Sequence, residues 1–222
     1  MRSLTGTLTL MLMGAALLFI GCGGSSPNPN HLTSLQAQQL GDEVYDDAGQ
    51  AMAGALESIE SDAVRKSGLQ AVFPRVKSAP MSQPDSSSCT STSCTISFTY
   101  NCPVSGTIAV SGTANEGSSS SLTLSLTETP SSCSDGTLVL NGNPNMTLNA
   151  QATESGTAIS VSISIGGDVT FAPVQAGQFP TGSCASNLQI NASETTTGTL
   201  TSCTIGGAMC GISMNQSCMP PT

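Results

Sequence analysis

Eight cysteines after residue 88 are the side chains with the clearest chemistry. They are Cys89, Cys94, Cys102, Cys133, Cys184, Cys203, Cys210 and Cys218. Cysteines in such numbers either pair as disulfides or bind a metal through thiolates. None of them forms the Cys-x-x-Cys pair that is usual in zinc sites. The spacing therefore favours up to four disulfides, and we expect no metal or other cofactor.

The partners of a catalytic nucleophile are missing from most of the chain. After Lys77 there is no Lys, Arg or His, and the only histidine is His31. This excludes a Ser-His-Asp triad, a histidine-ligated metal and an arginine clamp for phosphate from that region. Two acids could still act as a glycosidase pair. The acids available there are Asp85, Glu116, Glu128, Asp135, Glu154, Asp168 and Glu194. Because the chain has no tryptophan and only two tyrosines to stack on a sugar, we expect a protein that is not an enzyme.

The N-terminal segment predicts export. Arg2 precedes an apolar run over 8–20 that is too short to span a bilayer with margin and is typical of a signal peptide. The run ends at residues 19–22, Phe-Ile-Gly-Cys, which resemble the lipobox of bacterial lipoproteins. The resemblance implies cleavage before Cys22, acylation of Cys22 with chains such as palmitate, and anchoring to a membrane. Gly23 stands where an aspartate favours inner-membrane retention in this family, which implies the outer membrane where the cell has one.

Export to an oxidising compartment supports the disulfide interpretation. The pair Gly206-Gly207 predicts a two-residue hairpin turn, which places Cys203 opposite Cys210. Directly opposed residues of two antiparallel strands have Cα atoms about 5 Å apart, a separation that a disulfide spans. We therefore predict a Cys203–Cys210 disulfide.

A second pairing is predicted for Cys102. A single extended strand over 95–101 would hold Cys94 and Cys102 roughly 26 Å apart, so these two cannot pair. Cys133 is the predicted partner of Cys102, because both lie beside loops that connect strands. The candidates left without an assigned partner are Cys89, Cys94, Cys184 and Cys218.

The charge of the chain limits its partners. Acids outnumber basic residues fourteen to five, and loss of Arg2 with the signal peptide makes the net charge of −9 one unit more negative. Phosphate contacts need Lys and Arg, so we expect no nucleic-acid partner. An acidic surface has no attraction to anionic lipid, so membrane attachment would depend on the acyl anchor. The expected partner beyond the membrane is an envelope protein or polymer.

The chain divides into five predicted segments. They are a signal peptide (1–21), a lipid anchor with a flexible tether (22–32), an amphipathic acidic helix (33–68), a linker (69–93) and an antiparallel β domain (94–222). Thr33 or Ser34 can cap the helix, apolar residues recur from Leu40 to Ile59 at helical spacing, and Gly68 is a natural end. The acids of the helix, Asp47 among them, are interpreted as a solvated face.

Strict alternation predicts strands after residue 94. Between 158 and 165, for example, isoleucine and valine alternate with serine, which indicates one buried and one wet face. A five-residue loop over 141–145 would set Leu140 opposite Met146. A three-residue loop at 166–168 would set Ile165 opposite Val169.

These patterns predict a mainly β fold. We expect about eight to ten strands in a one-sided antiparallel meander, either a sandwich or an incomplete barrel, stapled by disulfides and covered by the helix. The favoured function is that of a non-enzymatic cell-envelope lipoprotein with a binding or structural role. An alternative is a carrier whose curved sheet encloses a lipid or another apolar ligand under the helix. A carboxylate-based hydrolase is a less favoured alternative.

Overall fold

The structure is a computed structural model of the 222-residue chain, and it describes residues 32–58, 86–90, 92–117, 121–141, 146–197 and 199–219. Within these ranges the helix is α1 (Ser34–Glu57), and the strands are β1 (Ser86–Cys89), β2 (Ser93–Asn101), β3 (Ser105–Glu116), β4 (Ser121–Ser134), β5 (Leu138–Asn141), β6 (Met146–Ser155), β7 (Ala158–Pro173), β8 (Gly182–Thr195), β9 (Leu200–Met209) and β10 (Ile212–Ser217). The predicted signal peptide, Cys22 and His31 lie outside the described residues. So does the predicted continuation of the helix to Gly68. The strand β1 forms inside the predicted linker.

The strands form one antiparallel sheet that follows the order of the chain, β1-β2-β3-β4-β5-β7-β8-β9-β10. The short β5 pairs with one end of β4 and of β7, and β6 pairs with the other end of the same two strands. The strands β5 and β6 therefore lie one after the other, end to end, between β4 and β7. The predicted fold class is confirmed: the molecule is mainly an antiparallel sheet with one helix packed on it.

The start of α1 is fixed by local hydrogen bonds. The Thr33 hydroxyl accepts from the backbone N–H of Gln36 at 3.2 Å, and the Gln36 side-chain oxygen accepts from the backbone N–H of Thr33 at 3.0 Å. This reciprocal capping box satisfies two N–H groups that a helix N-terminus otherwise leaves free. The predicted cap at Thr33 is confirmed.

Burial of α1 shows that the sheet curves around it. Thirteen of the 24 helical residues are buried, which is more than the single stripe that a helix presents to a flat sheet. Nine strand positions at about 4.8 Å make a sheet nearly 40 Å wide, far wider than a helix of about 10–12 Å. Yet inward side chains from β2 to β9, such as Tyr100, Leu124, Ile163 and Ile190, are no more than 1% exposed. The inward face is therefore closed by α1 and by the curvature of the sheet itself.

The two predicted hairpin loops in the middle of the chain are wrong. Leu140 does not pair with Met146; it pairs with Cys133 and Phe171, because β5 and β6 run in the same direction. Ile165 does not face Val169 across a turn either, since β7 continues straight through 166–168 and pairs with β8 along its length. Glycine pairs are strong turn signals, but here continuous pairing with a neighbouring strand overrides them.

The last hairpin turns four residues later than predicted. Met209 pairs with Ile212, so the two-residue turn is Cys210-Gly211. Both residues have positive φ, 54° and 76°, as a type I′ turn requires. Gly206 and Gly207 lie within β9 instead.

The cysteines form four disulfides, Cys89–Cys94, Cys102–Cys133, Cys184–Cys210 and Cys203–Cys218. The predicted Cys102–Cys133 pair is confirmed. The predicted Cys203–Cys210 pair is wrong, because the shifted turn carries Cys210 beside β8. There the Cys210 N–H donates to the carbonyl oxygen of Ala185 at 3.0 Å, next to Cys184. Cys203 is joined to Cys218, just beyond the end of β10.

Candidate functional site

The most unusual chemistry in the molecule is a group of acids between α1 and the sheet. Three of them, Glu43, Asp46 and Asp47, come from one region of the helix. Glu128 comes from the inward face of β4, and Asp135 from the turn between β4 and β5. We call these five residues the acid cluster. No Lys, Arg or His occurs among the described residues, so within them the cluster has no basic counterpart.

Glu43 and Asp135 share a hydrogen bond between their side chains. Burial raises the pKa of Glu43 to about 9, and the Asp135 hydrogen bond and the negative charges of Asp135, Asp47 and Asp46 add to this. Partial burial acts to raise the pKa of Asp135, but hydrogen bonds with Glu43 and with the N–H groups of Leu138 and Thr137 outweigh burial and lower it. Glu43 is thus the protonated member of the pair at neutral pH and Asp135 the carboxylate.

Asp135 is positioned by its own turn. One carboxylate oxygen, Oδ1, accepts from the backbone N–H of Thr137 at 2.7 Å and from that of Leu138 at 2.9 Å. An aspartate that accepts the next N–H groups of the chain is a common way to begin a tight turn. The same bonds hold the carboxylate against α1, where Glu43 meets it.

Asp47 and Glu128 are buried more deeply. Asp47 is 5% exposed and Glu128 is 1% exposed. Burial raises the pKa of Glu128 to about 8. Burial, followed by the charges of Glu128, Asp46 and Asp135, raises the pKa of Asp47 well above its usual value. The interpretation of Asp47 as part of a solvated helix face is wrong, because the sheet reaches around the helix and covers it.

Several oxygens of this region have no hydrogen-bond partner in the part of the chain that the structure describes. They are Asp47 Oδ2, Gln50 Oε1, and Oε1 and Oε2 of Glu128. Buried polar atoms are satisfied in the great majority of cases, so unpaired acceptors close together are informative. The nearby hydroxyl of Tyr100 does not serve them, since it donates to the backbone carbonyl oxygen of Asp47 at 3.0 Å.

A pocket of about 190 Å³ opens beside the acid cluster. Its polar lining consists of Glu43, Asp46, Asp47, Gln50 and Asp135. The rest of its lining consists of Pro103, Cys133, Leu138 and Leu140. We call it the acid pocket. Among the residues described here, no three acids, cysteines or histidines are placed so that they could hold one metal ion.

A second pocket of about 240 Å³ lies on the other side of the same helical region. There Gln216 of β10 donates from Nε2 to Oδ1 of Asp42 at 3.1 Å. Asp46 borders both pockets. The acid-rich turn of α1 therefore contributes residues to both pockets.

The outward face of the sheet is polar and, apart from Asp168, carries no charged side chain among the described residues. One row in register across five neighbouring strands consists of Thr113, Ser125, Asn149, Ser164 and Gln189. The next row consists of Asn115, Thr123, Gln151, Ser162 and Asn191. We call these ten residues the polar array. Within it, the hydroxyl of Ser125 donates to Oδ1 of Asn149 at 2.8 Å.

All four glutamates of the strands occupy inward positions instead of outward ones. They are Glu116, Glu128, Glu154 and Glu194. Glu194 is 2% exposed, and burial raises its pKa. Asp168 is the one charged residue at an outward strand position among the described residues. Acids thus concentrate on the concave side and leave the polar array neutral.

The structure places the sequence-predicted acids unevenly. Glu128 and Asp135 lie in the acid cluster, whereas Asp168 and the strand-end residue Glu154 lie elsewhere, and Asp85 is outside the described residues. The helix acids Glu43 and Asp47 were not predicted to join a site. The acidic run of the helix was the available signal, but only the curvature of the sheet turns part of it inward.

The chain was also compared with known proteins. No family model matches it, and neither a curated protein nor a solved structure matches it at a significant level. Within the described residues, no helix combines the length and the apolar character that a membrane span needs.

Proposed function

We propose that this chain is a non-enzymatic lipoprotein of the bacterial cell envelope, anchored through Cys22, whose β domain binds or supports another envelope component. The observation that carries the proposal is the position of α1. Leu40, Val44, Ala48 and Met52 are at most 1% exposed on the concave side of the sheet. The helix thereby occupies the space in which a carrier would hold its ligand.

The sequence and the disulfides support the location. The apolar run that ends at Gly21-Cys22 is typical of an acylated signal peptide. Four disulfides in a chain of this size are typical of proteins exported to an oxidising compartment. The tether over 22–32 would hold the folded part away from the membrane surface.

The polar array is the surface we propose for the partner. Ranks of hydroxyl and amide groups offer both donors and acceptors at regular spacing, without charge. Such a face suits a neutral polymer or a polar protein surface better than an anionic one.

Anchoring is tested by fractionation of cells that express the full chain. We expect wild type in the membrane fraction with acyl mass on Cys22, and Cys22→Ser as an unprocessed precursor or in the soluble fraction. Ser25→Ala in the tether is the matched control and should behave as wild type. A wild-type protein without acyl mass on Cys22 would remove the anchor from the proposal.

Partner binding is tested by capture from envelope extract with the full chain. Replacement of Asn149 and Gln189 by lysine places two charges in the middle of the polar array, and we expect loss of the captured component. Asp168→Asn, elsewhere on the outward face, is the control. Saturable binding of a fluorescent fatty acid to wild type would instead support the carrier alternative.

A further inference from the structure

The acid pocket holds an excess of hydrogen-bond acceptors over donors. Four acids line it, and no basic side chain is present among the described residues. Asp47, which lines the pocket, is 5% exposed, and its Oδ2 has no hydrogen-bond partner among the described residues. The Oε1 atom of Gln50, which also lines the pocket, has none among them either. A ligand for these residues must therefore bring hydrogen-bond donors and, by preference, positive charge.

A metal ion fits the pocket poorly. Calcium and magnesium require six or more oxygen ligands that converge on one point. In the part of the chain that the structure describes, no set of three acids converges in this way. The acids of the lining are instead divided between α1, which contributes Glu43, Asp46 and Asp47, and the turn after β4, which contributes Asp135.

Part of the pocket lining is apolar. Pro103, Leu138 and Leu140 line the same cavity as the acids. A ligand that satisfies both the polar and the apolar lining carries a cationic donor group at one end and a hydrocarbon stem at the other. A primary ammonium group has three N–H donors and a compact positive charge, and an aliphatic stem packs against leucine and proline.

We propose that the acid pocket binds a primary ammonium group on a short aliphatic stem, with Asp47, Gln50 and the Glu43–Asp135 pair as its hydrogen-bond acceptors. The source of the ammonium is a free alkylamine or the lysine side chain of another protein, which present the same chemistry. This site does not depend on the lipid anchor or on the polar array.

Binding should release protons. The titratable groups that line the pocket are Glu43, Asp46 and Asp47 of α1 and Asp135 of the turn after β4. Glu128 of β4 and Tyr100 of β2 do not line it but interact electrostatically with Asp47. Glu43 has a pKa of about 9 and holds its proton at pH 7. An ammonium group competes with that proton, so its affinity should rise as pH increases from 7 toward 9, by up to about tenfold per unit for each proton released.

The test is isothermal titration calorimetry on the full chain in detergent with n-butylamine at pH 7, 8 and 9. We expect a dissociation constant on the order of 1 mM at pH 8, as befits a very small ligand. We also expect tighter binding at pH 9 than at pH 7. A parallel titration with Nα-acetyl-lysine amide identifies the source, because tighter binding of this compound than of butylamine assigns the site to protein lysines.

Two variants of the pocket and one control variant complete the test. We expect Asp47→Asn to weaken butylamine binding by about tenfold or more, and Asp46→Asn at the rim serves the same purpose should Asp47→Asn not fold. Asp168→Asn should bind as wild type does. Equal binding of n-butanol, tighter binding of Ca²⁺ than of butylamine, or unchanged affinity in both pocket variants would each overturn the proposal.

Discussion

The hydroxyl of Tyr100 donates a hydrogen bond to the backbone carbonyl oxygen of Asp47 at 3.0 Å, within the buried interior. The bond joins β2 to the middle of α1 across 53 positions of sequence. Tyr100 is 1% exposed, so its hydroxyl would otherwise be desolvated without a partner. This contact fixes the position of the helix beside the acid cluster, because it holds the backbone of Asp47 itself.

Removal of that hydroxyl should therefore destabilise the protein. For Tyr100→Phe we expect a decrease of about 1 kcal/mol in the free energy of unfolding, the usual value for one buried hydrogen bond. Urea denaturation measures it. Thr113→Val, which removes an exposed hydroxyl from the polar array, is the control and should change stability by less than about 0.5 kcal/mol. A Tyr100→Phe protein as stable as wild type would contradict this role of the bond.

The stability of the protein should depend on pH through Glu128. The pKa of Glu128 is about 8 in the folded protein, whereas the pKa of an unburied glutamate carboxyl is 4.5. The folded state therefore binds the Glu128 proton more tightly than the unfolded chain does. The stability that this proton provides is complete below pH 4.5 and is lost as pH rises through about 8.

Glu43 contributes in the same way, because the stability that its proton provides is lost as pH rises through about 9. Asp135 contributes in the opposite way, because its pKa is lowered and the stability that its carboxylate provides is lost as pH falls below 3.8. We expect the free energy of unfolding to be greatest at about pH 4 to 5, close to the ordinary pKa values of carboxyl groups. In Glu128→Gln, the decrease in the free energy of unfolding between pH 5 and pH 8 should be shallower than in wild type by up to about 1.4 kcal/mol per pH unit. Asp168→Asn should retain the wild-type profile, and a Glu128→Gln profile parallel to that of wild type would refute the assignment.

Local sequence patterns predicted the elements of this fold better than their partners. Alternation located the strands, and Thr33 with Gln36 located the start of α1. The pattern could not show that Gly206-Gly207 lies within a strand, because a glycine pair has the same conformational freedom in a turn and in a strand. Which alternative occurs depends on β8, which pairs with β9 along both glycines.

The acid cluster could not be predicted from the sequence for a related reason. Helical periodicity places Asp46 and Asp47 together, off the apolar stripe, and cannot distinguish them. In the structure Asp46 is half-buried and Asp47 is buried, and the charge of Glu128 on β4 raises the pKa of Asp47. That difference arises from the curvature of a sheet whose strands are far apart in sequence.

The four disulfides should differ in how much they stabilise the protein. Cys102–Cys133 has a sequence separation of 31, and Cys89–Cys94 has a separation of 5. In the chain-entropy account the longer loop gives about 3.7 kcal/mol and the shorter about 2 kcal/mol. We expect the double replacement of Cys102 and Cys133 by alanine to lower the unfolding midpoint more than that of Cys89 and Cys94. The reverse order in urea denaturation would contradict the entropic account.

The pairing itself is tested by peptide mapping of the non-reduced protein. We expect one linked peptide pair that contains Cys184 and Cys210, and another that contains Cys203 and Cys218. These pairs follow from the turn at Cys210-Gly211, since that register brings Cys210 to β8 and Cys218 to β9. A Cys203–Cys210 peptide would instead restore a turn at Gly206-Gly207 and refute the strand register.

The same register makes a prediction for two adjacent glycines. Gly207 has φ of 110°, and a Cβ atom there would lie 2.0 Å from the backbone oxygen of Asn187. A Cβ atom at Gly206 would have no atom of the described residues within 4 Å. We expect Gly207→Ala to lower the free energy of unfolding by more than about 1 kcal/mol, because backbone strain and a clash with β8 act together. Gly206→Ala, its matched control, should change it by less than about 0.5 kcal/mol. In a hairpin turn at 206–207 both glycines would need positive φ, so both substitutions would destabilise the protein. Equal losses in the free energy of unfolding, measured by urea denaturation, would therefore contradict the continuous strand.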